Sequence, residues 1–239
     1  MSNRFQTLRQ ARLLEATKPF MARGKSVPRC DCCQLASFAC ICSWAPNQRS
    51  RAEFILLMHR DEILKPTNTG RLIADCFPDQ TYAFAWHRTE PPNDLMALLA
   101  DDNYQHYLVF PESSAVTAKI PRTIVSEPTS NKPVRFILLD GTWKQGGRMF
   151  HLSQWLGDIP CISLPDEVVR RYAVRKSEHD HYLSTAEAAA LCLSVNREDW
   201  AANVLIDYFD LFNLHYLATR NSVPPEQGEL HQRLRAKIS

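Results

Sequence analysis

Two runs of branched and aromatic residues, EFILLM at 53–58 and VRFILLD at 134–140, most narrowly constrain what this chain can fold into. Neither run alternates between apolar and polar positions, so a strand built from either would be apolar on both faces and must be covered from both sides. That is the pattern of central strands in a mostly parallel sheet with helices on each face, and it disfavours an antiparallel sandwich. Further strands are predicted at YAFAW, 82–86, at YLVF, 107–110, and more weakly at CISL, 161–164. Helical segments fall between them, at NDLMALLADD from Asn93 and from near Gly146. The predicted class is α/β.

The C-terminal third is helical in pattern. Ser184 is followed three residues later by Glu187 in STAEAAALCLSV, the capping-box spacing. In the next segment Trp200, Val204, Tyr208, Phe212 and Tyr216 recur every fourth residue, which predicts a core-packed helix in preference to an exposed base-stacking surface. Arg233, Arg235 and Lys237 close a tail expected to fray. At the other end, Arg4, Arg9, Arg12, Lys18, Arg23, Lys25 and Arg29 face one acid, Glu15, so residues 1–29 form a basic arm that either contacts phosphates or is simply solvated. The whole-chain charge of +2 does not by itself announce a nucleic-acid binder. With 45% hydrophobic residues among 239, the chain can bury a substantial core. No apolar run approaches the roughly 20 residues that span a bilayer, and no signal-peptide core follows the basic start, so no membrane association is expected and the cytoplasm is the expected compartment.

The cysteines are unevenly placed. Cys30, Cys32, Cys33, Cys40 and Cys42 crowd into CDCCQLASFACIC, whereas Cys76, Cys161 and Cys192 sit in apolar surroundings as core residues do. Cys30, Cys33, Cys40 and Cys42 have the spacing C-x2-C-x6-C-x-C, with which four thiolates can wrap tetrahedrally around zinc. Cys32 is the alternative to Cys33, which is preferred because two intervening residues give the usual chelate turn. Free cysteines and an iron–sulphur cluster are the competing readings. A zinc held by four protein ligands has no open position, so it would organise structure without activating water.

Two segments carry groups suited to ligand chemistry. In HRDEILKPTNTGRL, directly after the first strong strand, His59, Arg60, Glu62, Lys65, Asn68 and Thr69 gather at a strand end, and Arg60 and Lys65 could meet phosphate. In DGTWKQGG, Asp140 ends a buried strand, Gly141 permits a close turn, Thr142 can hydrogen-bond, Trp143 can wall a flat ligand, and Lys144 and Arg148 follow on the first helical turns. The plainer reading is a buried tryptophan after a tight turn, with Asp140 capping a helix. No H-E-x-x-H, Walker A, G-x-G-x-x-G or G-x-S-x-G pattern occurs, which removes the sequence reasons for a catalytic zinc hydrolase, ATP, a Rossmann dinucleotide or a serine hydrolase.

Taken in order, CDCCQLASFACIC, His59 with RDEILKPTNTGRL, LVFP from Leu108, LLDGTW from Leu138, RYAVRK from Arg171 and LSTAEAAA from Leu183 resemble the DTW-domain family of tRNA-uridine aminocarboxypropyltransferases, in particular its bacterial transfer-RNA modifying members. The resemblance extends over roughly residues 28–195. Arg60 stands where the family pattern has proline after the histidine, and Cys32 is an additional cysteine.

The resemblance implies a SPOUT-like, knotted α/β core with an N-terminal cysteine-rich zinc loop and C-terminal helices. It divides the chain into the basic arm 1–29, a zinc-binding element 30–46, a catalytic domain with C-terminal helices 47–220 and a polar tail 221–239. It also implies transfer of the 3-amino-3-carboxypropyl group of S-adenosylmethionine to N3 of a tRNA uridine, with release of 5′-methylthioadenosine. Within that reading Asp140, with ordinary carboxylate acidity, is the expected general base. Phe110, Pro111, Thr142 and Trp143 are the expected donor contacts, and Arg60, Lys65, Lys144, Arg148 and Arg175 the expected tRNA contacts. The alternatives are a methyltransferase using the same donor and a non-catalytic zinc-containing RNA-binding protein.

Overall fold

The computed structural model describes residues 3–16, 27–111, 122–129, 131–157, 159–164 and 183–238. Six strands form one sheet: β1 Glu53–Met58, β2 Thr81–Ala85, β3 Gln105–Val109, β4 Ile124–Val125, β5 Val134–Asp140 and β6 Cys161–Ile162. Their order is β2-β1-β5-β3-β6-β4, and every pairing is parallel. The chain therefore inserts β5 between β1 and β3, and later β6 between β3 and β4.

The two runs singled out from sequence form the centre of the sheet, paired from Glu53↔Arg135 to Met58↔Asp140. Successive residues point to opposite faces of a strand. Phe54, Leu56, Met58, Phe136 and Leu138 enter one apolar layer, whereas Ile55, Leu57 and Ile137 enter the other. Helices cover both. On the first side lie α2 Gly70–Cys76, α5 Thr185–Val195 and α6 Asp199–Asn221. Leu95 of α3 Asn93–Leu99 and Met149 and Phe150 of α4 Trp143–Leu152 fill the second. Burying side chains of this size is worth roughly 1.5–3 kcal/mol each, so the alternation accounts for why the strands tolerate no polar face.

Ser184 and Glu187 form the capping box that starts α5. In α6, Val204, Tyr208 and Phe212 are buried as the four-residue spacing predicts, while Trp200 at its first turn is 52% exposed.

Both chain ends differ from expectation. Residues 4–14 are not a free basic arm but a helix, α1 Arg4–Leu14, started by Asn3 accepting from the Gln6 amide. Phe5 is its buried anchor, and Arg4 lies over the Tyr82 ring while donating to the Asp79 carbonyl. The charges that marked an arm are thus partly spent on docking. The expected frayed tail contains α7 Glu229–Ile238, whose Leu234 and His231 are buried against the body. Arg233 and Lys237, the residues that suggested fraying, clamp the Asp207 carboxylate of α6 at 2.8 and 2.7 Å.

Candidate functional site

In a parallel sheet every strand ends on the same edge, and polar groups placed there are held by the strands behind them. At this edge the His59 amide donates to the Asp140 carbonyl at 2.8 Å, and the Trp86 amide donates to the Met58 carbonyl at 2.8 Å. The ends of β1, β2 and β5 are thereby locked together. The His59 ring stacks on Trp86 with 6.3 Å between centroids, and Trp86 Nε1 donates to Ser153 Oγ just past α4.

Asp140 is the buried centre of this edge. Its Oδ1 accepts from Thr185 Oγ1 at the first turn of α5, and its Oδ2 accepts from Asn68 Nδ2 before α2. Asn68 Oδ1 in turn accepts from the Arg71 amide at 3.0 Å, so one asparagine joins the carboxylate to the first turn of α2. Gly70 makes the close fit possible: a Cβ there would lie 3.1 Å from the carboxylate atoms. Burial, reinforced by the charge of Glu62, raises the Asp140 pKa, and the bonds from Thr185 and Asn68 only partly oppose the rise. The ordinary acidity expected from sequence is corrected by this burial.

The turn after Asp140 is equally tight. A Cβ on Gly141 would approach Gln145 Cβ to 3.0 Å and His59 Cβ to 3.4 Å. Thr142 starts α4 through a capping box with Gln145. Trp143 stands 44% exposed with its ring 6.5 Å from Phe110, which stacks on Phe150 at 4.4 Å. Phe110 follows β3, so an aromatic wall runs from the end of that strand to the start of α4; Pro111 follows Phe110 at its border.

The expected phosphate contacts divide into three groups. Lys144 and Arg148 are exposed on α4 beside Trp143 and have no ion pair or hydrogen bond among the described residues. Arg60 is exposed and pairs with Glu15 at 3.5 Å, and Lys65 is bound to Glu62 at 2.5 Å, so each would have to exchange a partner to meet phosphate. Arg175 lies outside the described residues.

Among the described residues, Cys30, Cys33, Cys40 and Cys42 bring their Sγ atoms within 4.8 Å of one another. Tetrahedral zinc–thiolate bonds of about 2.3 Å require sulphurs about 3.8 Å apart. Cys30–Cys42 and Cys33–Cys40 stand at 3.6 and 3.7 Å, so the donor set fits zinc. Hydrogen bonding from Cys42 holds Cys33 down to about 4, while burial pushes Cys40 up to about 11. Cys32 is exposed and accepts from Gln6 Nε2 at 3.5 Å; it also hydrogen-bonds with Cys42 but lies outside the set of four. The loop does not stand apart from the body: Thr219 Oγ1 of α6 accepts from the Ala36 amide, and Leu35, Ile41 and Trp44 enter the main core.

Asn68 and Thr185 were inside segments that sequence had flagged, but their shared attachment to Asp140 was not foreseen. Trp86 was read only as strand. The signal available for it was its position, one residue past a strand end, as for His59 and Phe110.

The DTW domain pattern matches residues 27–217. The chain belongs to the DTW-domain family. Among curated relatives it is similar to proteins named tRNA-uridine aminocarboxypropyltransferase 2. The one from Macaca fascicularis is 24% identical over 175 residues, covering 72% of this chain and 57% of the relative. The Mus musculus protein is 24% identical over 70% of this chain and 56% of its own length, and the Drosophila melanogaster protein 26% identical over 70% and 66%. This DTW-domain chain thus spans little more than half the length of the mammalian relatives. No solved structure matches it. No helix among the described residues is long and apolar enough to cross a membrane.

Proposed function

We propose that this DTW-domain protein transfers the 3-amino-3-carboxypropyl group of S-adenosylmethionine to N3 of a uridine in tRNA, releasing 5′-methylthioadenosine. The observation that carries the reading is the placement of Asp140, Thr142 and Trp143 at the closed edge of a parallel sheet, beside an aromatic wall, in a family whose curated relatives are named for this transfer. The donor supplies an electrophilic γ-methylene whose bond to the sulphonium breaks, the electron pair leaving with sulphur, as the bond to N3 forms.

The protein's own part is to aim that methylene at N3, exclude the methyl group and take the N3 proton. Phe110, Pro111, Thr142 and Trp143 would present the donor through the aromatic wall and the turn. Asp140 would accept the proton. A raised pKa suits that task better than ordinary carboxylate acidity, because proton transfer is most efficient when the base lies nearer the operating pH. Each of its oxygens retains acceptor capacity beyond the one bond it makes to Asn68 or Thr185.

Lys144 and Arg148 lie beside the wall and would take the first tRNA phosphates, with Arg60, Lys65 and Arg175 extending the track. Zinc at the four cysteines would hold the N-terminal loop in place and take no part in proton transfer, since all four of its positions would be filled. The insertion of β5 and β6 between earlier strands supports a SPOUT-like core. A knotted core is part of this reading, and residues 112–121 and 165–182 lie outside the described residues. Acting on tRNA, the protein would work in the cytoplasm.

Two donor preparations test the reading, one labelled in the methyl carbon and one in the carboxyl carbon. Only carboxyl label should enter tRNA. Entry of methyl label would assign the site to methyl transfer, and entry of neither to a non-catalytic RNA-binding role.

A further inference from the structure

A transfer from S-adenosylmethionine to uridine has to seat two flat rings, the adenine of the donor and the uracil of the acceptor. The carboxyl edge of the sheet carries two aromatic groups. In the strand order β2-β1-β5-β3, the end of β5 with Asp140 and Gly141 lies between them. Phe110, after β3, and Trp143 stand on one side, 6.5 Å between ring centroids. His59, after β1, and Trp86, after β2, stand on the other, their planes only 19° apart. The first group serves the donor in the proposed reaction; the second is left without a role.

The second group is firmly held yet open. The His59 amide donates to the Asp140 carbonyl, and a Cβ on Gly141 would come within 3.4 Å of His59 Cβ, so this side chain starts directly beside the turn. Trp86 Nε1 donates to Ser153 Oγ at 2.8 Å, and that hydroxyl donates to the Met149 carbonyl of α4 at 2.7 Å. Trp155 Nε1 fixes the next residue through the His87 carbonyl at 3.3 Å. Both rings are nevertheless half-buried, whereas Phe54 and Phe136 of the same sheet are fully enclosed. His59 Nδ1 accepts from the Asp61 amide at 3.3 Å, which puts the hydrogen of the neutral ring on Nε2. The Asp61 carboxylate, 3.6 Å from the same nitrogen, is beyond hydrogen-bond distance. Among the described residues Nε2 has no partner. The rim is cationic: Arg60 follows His59 and Arg88 follows His87, both exposed.

We propose that His59 and Trp86 form the seat of the acceptor uracil, their rings supporting its face and His59 Nε2 donating to one of its carbonyl oxygens. The inference rests on the reading of this protein as a tRNA-uridine transferase. A ligand lying over the carboxyl edge is reached from both faces of the sheet, so the base meets His59 from one side of the β5 end and Asp140 from the other. Uracil carries a carbonyl on each side of N3. As N3 gives its proton to Asp140, negative charge spreads to those oxygens, and a fixed N–H donor at one of them stabilises it. Stacking holds the ring without reading its sequence context, and Arg60 and Arg88 at the rim suit the phosphates flanking an inserted nucleotide.

The test uses the full chain. tRNA transcribed with 5-iodouridine in place of uridine, irradiated in complex without donor, should cross-link to His59 or Trp86, identified by mass spectrometry of the digested complex. His59→Ala and Trp86→Ala should lower kcat/KM for tRNA about 5- to 150-fold, the worth of one stacked base, while S-adenosylmethionine affinity measured by calorimetry stays at its wild-type value. Trp86→Phe keeps a ring but loses the bond to Ser153, so it should stay nearer to wild type, and it decides if Trp86→Ala does not fold. An equal loss in the Phe and Ala variants would reduce Trp86 to a brace for α4 and overturn the seat, as would a loss of donor affinity. Wild type that modifies tRNA but cross-links only through Phe110 or Trp143 would overturn this inference alone; wild type that modifies no tRNA would overturn the transferase reading and the seat with it.

Discussion

Asp140 presents its two oxygens to donors from two separate segments, Asn68 just before α2 and Thr185 in the first turn of α5, which gives it both a structural load and a chemical opportunity. Asp140→Asn keeps the shape and one acceptor oxygen, so it should fold with its α2 and α5 contacts largely preserved. Loss of a general base typically costs about 100- to 10,000-fold, and single-turnover transfer to tRNA should fall within that range while donor affinity changes little. Near-wild-type single-turnover rates would remove Asp140 from proton transfer. The cysteines offer a second contrast at this scale. Cys33→Ser should lose bound zinc under reducing conditions, whereas Cys32→Ser should keep it, because Cys32 lies outside the four-sulphur set. Equal loss of zinc from both, counted by elemental analysis, would redraw the ligand set.

The packing of α7 depends on pH through a pair of histidines. His215 Nδ1 lies 3.0 Å from the Ala39 carbonyl and its Nε2 lies 3.0 Å from His231 Nε2, while His231 Nδ1 accepts from the Gly228 amide. That chain is satisfied by two neutral rings, His231 donating to His215. Burial depresses both pKa values, helped at His231 by its neighbour. The unfolded state therefore binds protons more readily, and the stabilisation is present above about pH 6.5 and lost as pH falls. Asp207 acts in the same direction lower down: against the cost of burial, Arg233 and Lys237 hold its pKa below the usual value, so its contribution disappears on further acidification. Amide exchange should show α7 opening before the sheet as pH drops from 7 to 5. Loss of protection in α7 and β5 together would contradict this. The helix was hard to recognise in the sequence because its burial depends on only a few residues, His231 and Leu234 foremost, within a polar segment. By contrast β1 and β5 were legible to the residue, since central strands declare themselves on both faces. The two-residue strands β4 and β6 are too short to carry such a pattern, and β4 was not anticipated.

At the scale of the molecule, the site is assembled by closure across the sequence. Asn68 lies 72 residues from Asp140 and Thr185 45 residues from it, which is why the segments could be named in advance but the bonds between them could not. The same holds for Arg60, whose pairing with Glu15 required knowing that the N-terminal segment folds back as a helix. Lys144 and Arg148 follow the DTW turn directly and remain exposed, so the RNA track should depend on them most. Replacing both by Gln should weaken tRNA binding and reduce the slope of log K against log salt by about 1–2 units, one phosphate contact accounting for about 0.7–0.9. An unchanged slope would place the tRNA elsewhere. The account as a whole stands on the identity of the transferred group. Incubation of the full chain with unmodified tRNA and S-adenosylmethionine, followed by nuclease digestion and mass spectrometry of nucleosides and small molecules, measures it directly. The account predicts a uridine enlarged by one aminocarboxypropyl group and an equal amount of 5′-methylthioadenosine; a methylated nucleoside with S-adenosylhomocysteine, or unchanged tRNA with intact donor, would contradict it.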